Sequence, residues 1–153
     1  MQQDPNYGRP EEPRLTQVPV GGTMSPQEER TWSVLAHLSV LLNIITGLGG
    51  PIAALVIWIV YKDKSQRVAF HALQSLWYQV AWIVILVVGW TITGILIATI
   101  ILAIIGIPLA LVMLLATVVP FVHQCYAAYK VNQGVDYRYP FIADQIDRTR
   151  RFA

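Results

Sequence analysis

The chain has 153 residues, of which 55% are hydrophobic and only 13% charged, against about 25% charged in an ordinary soluble domain. A net charge of +2 makes nucleic-acid binding a poor reading, and a single cysteine, Cys125, excludes an internal disulfide. The charges are missing in blocks, with no Asp, Glu, Lys or Arg between Thr31 and Tyr61 or between Val68 and Tyr129; since roughly 20 apolar residues cross ~30 Å of hydrocarbon, the composition describes an all-α integral membrane helical bundle.

Residues 1–24 are rich in Pro, Gly, Gln and Glu and have no periodic apolar face. Such a segment buries too little to offset its ordering entropy, so a disordered cytoplasmic tail is expected. The first apolar run lies behind Glu11, Glu12, Glu28 and Glu29, which does not fit a cleaved signal peptide. Order is expected to begin at Ser25, where Ser at the cap, Pro26 at the first helical position and Glu28 at the third make a capping box. The helix continues to Thr46 and is broken by Gly47-Leu48-Gly49-Gly50-Pro51, after which a shorter helix runs from Pro51 to Tyr61. This front pair reads either as one kinked crossing or as a tight hairpin; two glycines directly before a proline favour reversal. The bundle then has about four spans, or three if the pair is a single kinked one.

Lys62, Asp63, Lys64 and Arg67 form a charged internal loop, with Trp58 and Tyr61 before it where interfacial aromatics belong. Ser65 can cap the next helix, and Thr91–Gly94 is the expected turn. The following run ends at Asn132-Gln133-Gly134. It is expected to be divided by Gly106 and Pro108 into a lead-in and a final span from Ile107 to Val131, kinked at Pro120. Residues 25–134 are thus the transmembrane domain and 135–153 an interfacial or cytoplasmic tail. Lys62, Lys64 and Arg67, which flank that loop, and Lys130, Arg138, Arg148, Arg150 and Arg151, which follow the last span, both prefer the cytoplasm. That implies a multi-pass cell-membrane protein with both termini cytoplasmic.

Polar groups inside a span are costly and ask for a partner or a role. The first helix carries His37, Ser39 and Asn43; the third carries His71, Gln74, Ser75, Tyr78 and Gln79 as a stripe; the last carries His123, Gln124 and Tyr126. In the plainer reading these groups bond between helices, helped by the small-residue pairs Gly49 with Ala53, Gly50 with Ala54 and Gly106 with Ala110. In the sharper one the stripe lines a water-filled groove open to the cytoplasm, with His71 sensitive to protons. No cofactor is implied, and no histidine spacing suits a metal. The spans contain no acid to couple ions and no nucleophile beside a base, so an enzyme is not expected. Trp58, Tyr61, Lys62, Lys64, Arg67, Tyr129, Lys130, Tyr137, Arg138 and Tyr139 are expected to anchor at the headgroups. Cys125 is expected to pack or face lipid, with palmitoylation the less favoured alternative.

Several strings carry a resemblance. Pro26 with Glu28-Glu29-Arg30-Thr31-Trp32 and Leu35-Ala36-His37-Leu38-Ser39, then Gly50-Pro51, Lys62-Asp63, Phe70-His71-Ala72, Gln74-Ser75, and Asn132 and Gly134 before Tyr137-Arg138-Tyr139-Pro140, resemble a family of small bacterial multi-pass membrane proteins of unknown function. That family is held to be distantly related to the twenty-kilodalton subunit of the chloroplast inner-envelope import translocon. The resemblance spans residues 25–142 and implies a four-helix membrane domain with both termini cytoplasmic. It departs at Leu73, where the family often has lysine, and at the short break after Thr46. The function expected is a non-enzymatic, translocon-like or interaction component in contact with the lipid bilayer, binding other membrane proteins, client segments or a second copy. A small transporter or channel subunit is the alternative.

Overall fold

The computed structural model describes residues 24–99 and 102–151; apart from Met24, the tail expected over residues 1–24 lies outside the described residues. The elements are α1 (Pro26–Leu38), a 3₁₀ turn (Ser39–Leu42), α2 (Asn43–Thr46), α3 (Gly49–Tyr61), α4 (Gln66–Ala98), α5 (Ala103–Asn132) and α6 (Ile142–Arg151).

The capping box opens α1: the Glu28 N–H donates to Ser25 Oγ and the Ser25 N–H donates to the Glu28 carboxylate at 2.8 Å. The helical path runs on to Thr46 through one 3₁₀ turn and ends at Gly47, whose φ of +76° is the left-handed conformation that closes helices. The next helix starts at Gly49, two residues earlier than Pro51 suggested. The Gly49 N–H donates to Thr46 Oγ1 and the Gly50 N–H to Asn43 Oδ1, each at 2.8 Å, so side chains of the preceding helix supply the acceptors for the first free donors of α3. The chain then turns back along α1. Trp32 near the start of α1 lies 4.7 Å from Tyr61 at the end of α3, and Ala36 shares a cluster with Ile57, Val68 and Ala72. The front pair is therefore a hairpin. Its return arm, at 13 residues, is about 20 Å long.

Helices α4 and α5, of 33 and 30 residues, are each long and apolar enough to cross a membrane. The expected turn at Thr91–Gly94 is absent, because α4 runs on to Ala98. Thr91 and Thr93 donate back to the Val87 and Gly89 carbonyls at 2.7 and 2.8 Å, absorbing into the helix the hydroxyls that would compete with it in water. Where no water can take up a freed backbone group, a helix of apolar residues keeps going. The division at Gly106 and Pro108 is absent as well: both lie inside the single helix α5. Gly106 serves packing instead, since a Cβ there would sit 2.8 Å from Ile97 Cγ1 and 3.0 Å from the Ile97 backbone nitrogen.

The molecule is inverted relative to a soluble protein. Ile45, Ile104 and Leu115 are 84%, 79% and 72% exposed, whereas Ser33, His37, His71, Gln74, Ser75 and Gln124 are fully buried. This is an all-helical membrane bundle with an apolar outside that meets lipid and a polar seam within. Its charges gather at one end: Ser65 Oγ donates to Glu29 at 2.6 Å, and Arg67 pairs with Asp136 at 2.7 Å, joining the start of α1, the α3–α4 loop and the end of α5.

Gly106→Leu should cost about 1–3 kcal/mol by forcing α4 and α5 apart. Gly94→Leu, whose added side chain starts in open space, should stay within about 0.5 kcal/mol of the parent. Reversible unfolding in mixed micelles checks both, and equal stabilities would reject the close α4–α5 approach.

Candidate functional site

The seam consists of two hydrogen-bonded networks, both built on one third of α4. The first is an amide chain. The Gly50 N–H donates to Asn43 Oδ1, Asn43 Nδ2 to Gln79 Oε1 at 3.2 Å, and Gln79 Nε2 to the hydroxyls of Ser39 and Ser75, each at 3.1 Å. Ser75 Oγ stands at the junction of α1, α4 and α5, 2.7 Å from the Ala36 carbonyl and 3.0 Å from Gln124 Oε1, with one proton to give to either. A Cβ on Gly50 would collide with Gln79 and Asn43, so the glycine is what lets α3 come close enough to join the chain. Among the described residues, Ser33 Oγ and Gln124 Nε2 are buried without a hydrogen-bond partner.

The second network is built on imidazoles. Tyr139 Oη lies 3.2 Å from His37 Nδ1, His37 Nε2 lies 3.2 Å from His71 Nδ1, and His71 Nε2 lies 3.3 Å from Asp136 Oδ1, which also accepts from Arg67 Nε at 2.7 Å. Burial pushes the Tyr139 phenol far above the usual tyrosine range, with Tyr78 adding to the effect, so its hydroxyl stays a donor. The hydrogen bond from His71, and after it the Arg67 charge, hold the Asp136 carboxyl below its ordinary range despite partial burial. With a donor at one end and a carboxylate at the other, one tautomer set satisfies the chain: Tyr139 O–H donates to His37, His37 Nε2–H to His71, and His71 Nε2–H to Asp136. Beside it, His123 bridges two phenols, with Nδ1 2.6 Å from Tyr78 Oη and Nε2 2.6 Å from Tyr137 Oη. Gln74 then reads the backbone of the same stretch. Its Nε2 donates to the Tyr137 carbonyl at 2.9 Å, and its Oε1 accepts from the Tyr139 N–H at 3.0 Å.

The polar residues named from the sequence thus fall into one body. His37, His71, Gln74, Ser75, Tyr78, Gln79 and His123 touch one another or the stretch after α5, and Asn43 joins through Gln79. The stripe on α4 does not face open water: His71, Gln74 and Ser75 are fully buried and Gln79 is 1% exposed. Tyr139, expected among the headgroup anchors, is instead 1% exposed and stacked on Tyr78 at 4.3 Å, because the chain after Gly134 folds back into the bundle. Tyr137 is half-buried against His123. Of the other residues expected at the headgroups, Trp58 and Tyr61 are partly buried against the Ala36 cluster. Lys62 lies over Trp58, Lys64 over Tyr61, Lys130 over Tyr126 and Arg138 over Phe70, at 5.3–5.5 Å; Tyr129 is exposed and Arg67 is held by Asp136. Asp136 escapes a reading of spans because it follows the last one; an acid two residues past a glycine stop is the signal it offers. Among the described residues, His, Cys, Asp and Glu form no group of three able to hold a metal ion.

The model of a family described as magnetosome magnetite crystal formation proteins matches residues 28–146. No curated protein and no solved structure matches the chain. The family match corrects the resemblance drawn from the sequence motifs: it is to magnetosome proteins, and no relation to the chloroplast import subunit is found.

Gln74→Leu keeps the volume but leaves the Tyr139 N–H and the Tyr137 carbonyl unpaired in a buried place, and should cost about 1–3 kcal/mol. Proteolysis should then release the segment after Gly134 while α4 and α5 stay intact. Parent-like resistance would mean that Gln74 does not hold that segment.

Proposed function

Because the chain belongs to the magnetosome magnetite crystal formation family, we propose that it is a non-enzymatic, multi-pass scaffold of the magnetosome membrane, binding other membrane proteins, client segments or further copies of itself at its charged end. One observation carries this reading: the polar side chains that would line a transport path or an active site are paired with one another inside the bundle. A transporter needs such groups open to water in at least one state, and the paired stripe gives that alternative no support.

The distribution of charge supports the choice of end. The start of α1, the α3–α4 loop with the first turn of α4, and the end of α5 with the stretch after it lie together and hold Glu29, Lys62, Lys64, Arg67, Lys130 and Arg138. The excess of lysine and arginine there favours the cytoplasm. The opposite end is drawn wholly from the charge-free stretches of the sequence, so it offers no carboxylate to a hydrated iron ion or to a mineral face. A part in crystal formation is then exerted through what the charged end recruits.

A photoreactive amino acid placed at Lys62, Lys64 or Arg148 should crosslink, in native membranes, to membrane proteins or to a second copy, whereas the same group at Thr99 should give lipid adducts alone. Protein adducts confined to Thr99 would reverse the assignment, and their absence from every position would reject the scaffold reading.

A further inference from the structure

All three histidines of the chain bear on residues 136–139. His71 meets Asp136, His123 meets Tyr137 and His37 meets Tyr139, and each ring uses its other nitrogen on a further partner, His37 and His71 on each other and His123 on Tyr78. No ring nitrogen is left over to accept another proton. We propose that this arrangement is a proton-operated latch: residues 136–151 stay docked while the histidines are neutral and come away from the bundle as the pH falls below neutral.

The hydrogen bonds set the direction. A proton added to His71 keeps its bond to Asp136 but puts a second N–H opposite His37 Nε2. His37 must then change tautomer and present an N–H to Tyr139, whose hydroxyl proton loses its buried acceptor. A second proton would leave two imidazolium rings facing each other N–H to N–H, the nitrogens 3.2 Å apart, where neither side chain is exposed. Protonated His123 likewise turns its one accepting nitrogen into a donor, so the phenol that had donated to it loses that acceptor. Once the segment leaves, the rings it covered gain water. The released form therefore binds more protons, and it gains population as the pH falls.

Among the surrounding charges Asp136 favours a proton on His71 in the docked form, but it shares its carboxylate with Arg67, and on α1 Arg30 lies beside Gly134 at the root of the segment. On α4 the neighbours are Arg67 and Tyr78, on α5 Cys125 and Tyr126, and on the segment itself Tyr137, Arg138 and Tyr139. Helix α3 contributes Tyr61, whose ring lies on Trp32. Asp136 already balances Arg67, and Asp144 and Asp147 are both paired to Arg138. Because Asp136 is held below the usual carboxylate range, it stays ionised near pH 5, so a change between pH 8 and pH 5 falls to the histidines. The joint is also under strain. Phe141, 85% exposed, sits at φ +66° between buried Tyr139 and buried Ala143, a conformation that a bulky side chain keeps only while its flanks are held.

Nitroxide labels at Lys64→Cys and Thr149→Cys, in a Cys125→Ser background of the full chain in lipid nanodiscs, read the latch by pulsed dipolar spectroscopy. One short distance is expected at pH 8, with a longer, broader one exceeding half the population by pH 5. Tyr139→Ala should show the longer distance already at pH 8, while His71→Gln with His123→Gln, which removes both rings whose protonation starts the release, should keep the short one to pH 5. A parent distribution unchanged between pH 8 and pH 5 would overturn the latch, and so would opening that persists in the double histidine variant.

Discussion

A side-chain amide or imidazole taken out of water and left unpaired costs several kcal/mol in a hydrocarbon medium. In this chain that demand falls on a run of α4, where His71, Gln74, Ser75, Tyr78 and Gln79 occupy two and a half turns of an otherwise apolar helix. Every neighbouring element is placed by meeting it. Helix α1 brings His37, the 3₁₀ turn brings Ser39, α2 brings Asn43, α5 brings His123 and Gln124, and the stretch after α5 brings Asp136, Tyr137 and Tyr139. The apolar residues, turned outward to lipid, contribute little to this choice, since lipid tails are as apolar as they are and drive no association between helices.

That division explains what the sequence revealed. Where local chemistry decides, the reading was close: the capping box at Ser25, the Ser65 cap, which accepts from the Val68 N–H at 3.2 Å, and the stop at Gly134 with φ +86° all stand where their residues imply. Where the solvent decides, water-based habits misled. Thr91–Gly94 and Gly106–Pro108 are breakers in an aqueous loop, yet both continue as helix in a medium that punishes an open backbone. The polar stripe was legible as a set of residues, but its partners were not. A run such as Tyr137-Arg138-Tyr139 looks like a headgroup anchor in one dimension, and only the fold-back after Gly134 brings Tyr139 between His37 and Tyr78.

The resulting molecule has two unlike ends and no open polar path through its described interior. The family is described by magnetosome magnetite crystal formation, and the asymmetry narrows what the proposed scaffold can contribute. Its outer surface over α4 and α5 is suited to lipid, its charged groups are gathered at one end, and its internal polar residues join the C-terminal stretch to the bundle.

The most direct measurement is aqueous accessibility of the seam itself. In native membranes, with Cys125→Ser as background, cysteines at Ser75 and Gln79 would be challenged from either side with a membrane-impermeant thiol reagent, and Lys62→Cys would serve as the exposed reference. Internal pairing predicts labelling at position 62 and protection at 75 and 79 from both sides. Rapid labelling of 75 and 79 from one side would mean that the seam is a water-filled groove, and the paired-core account would be wrong.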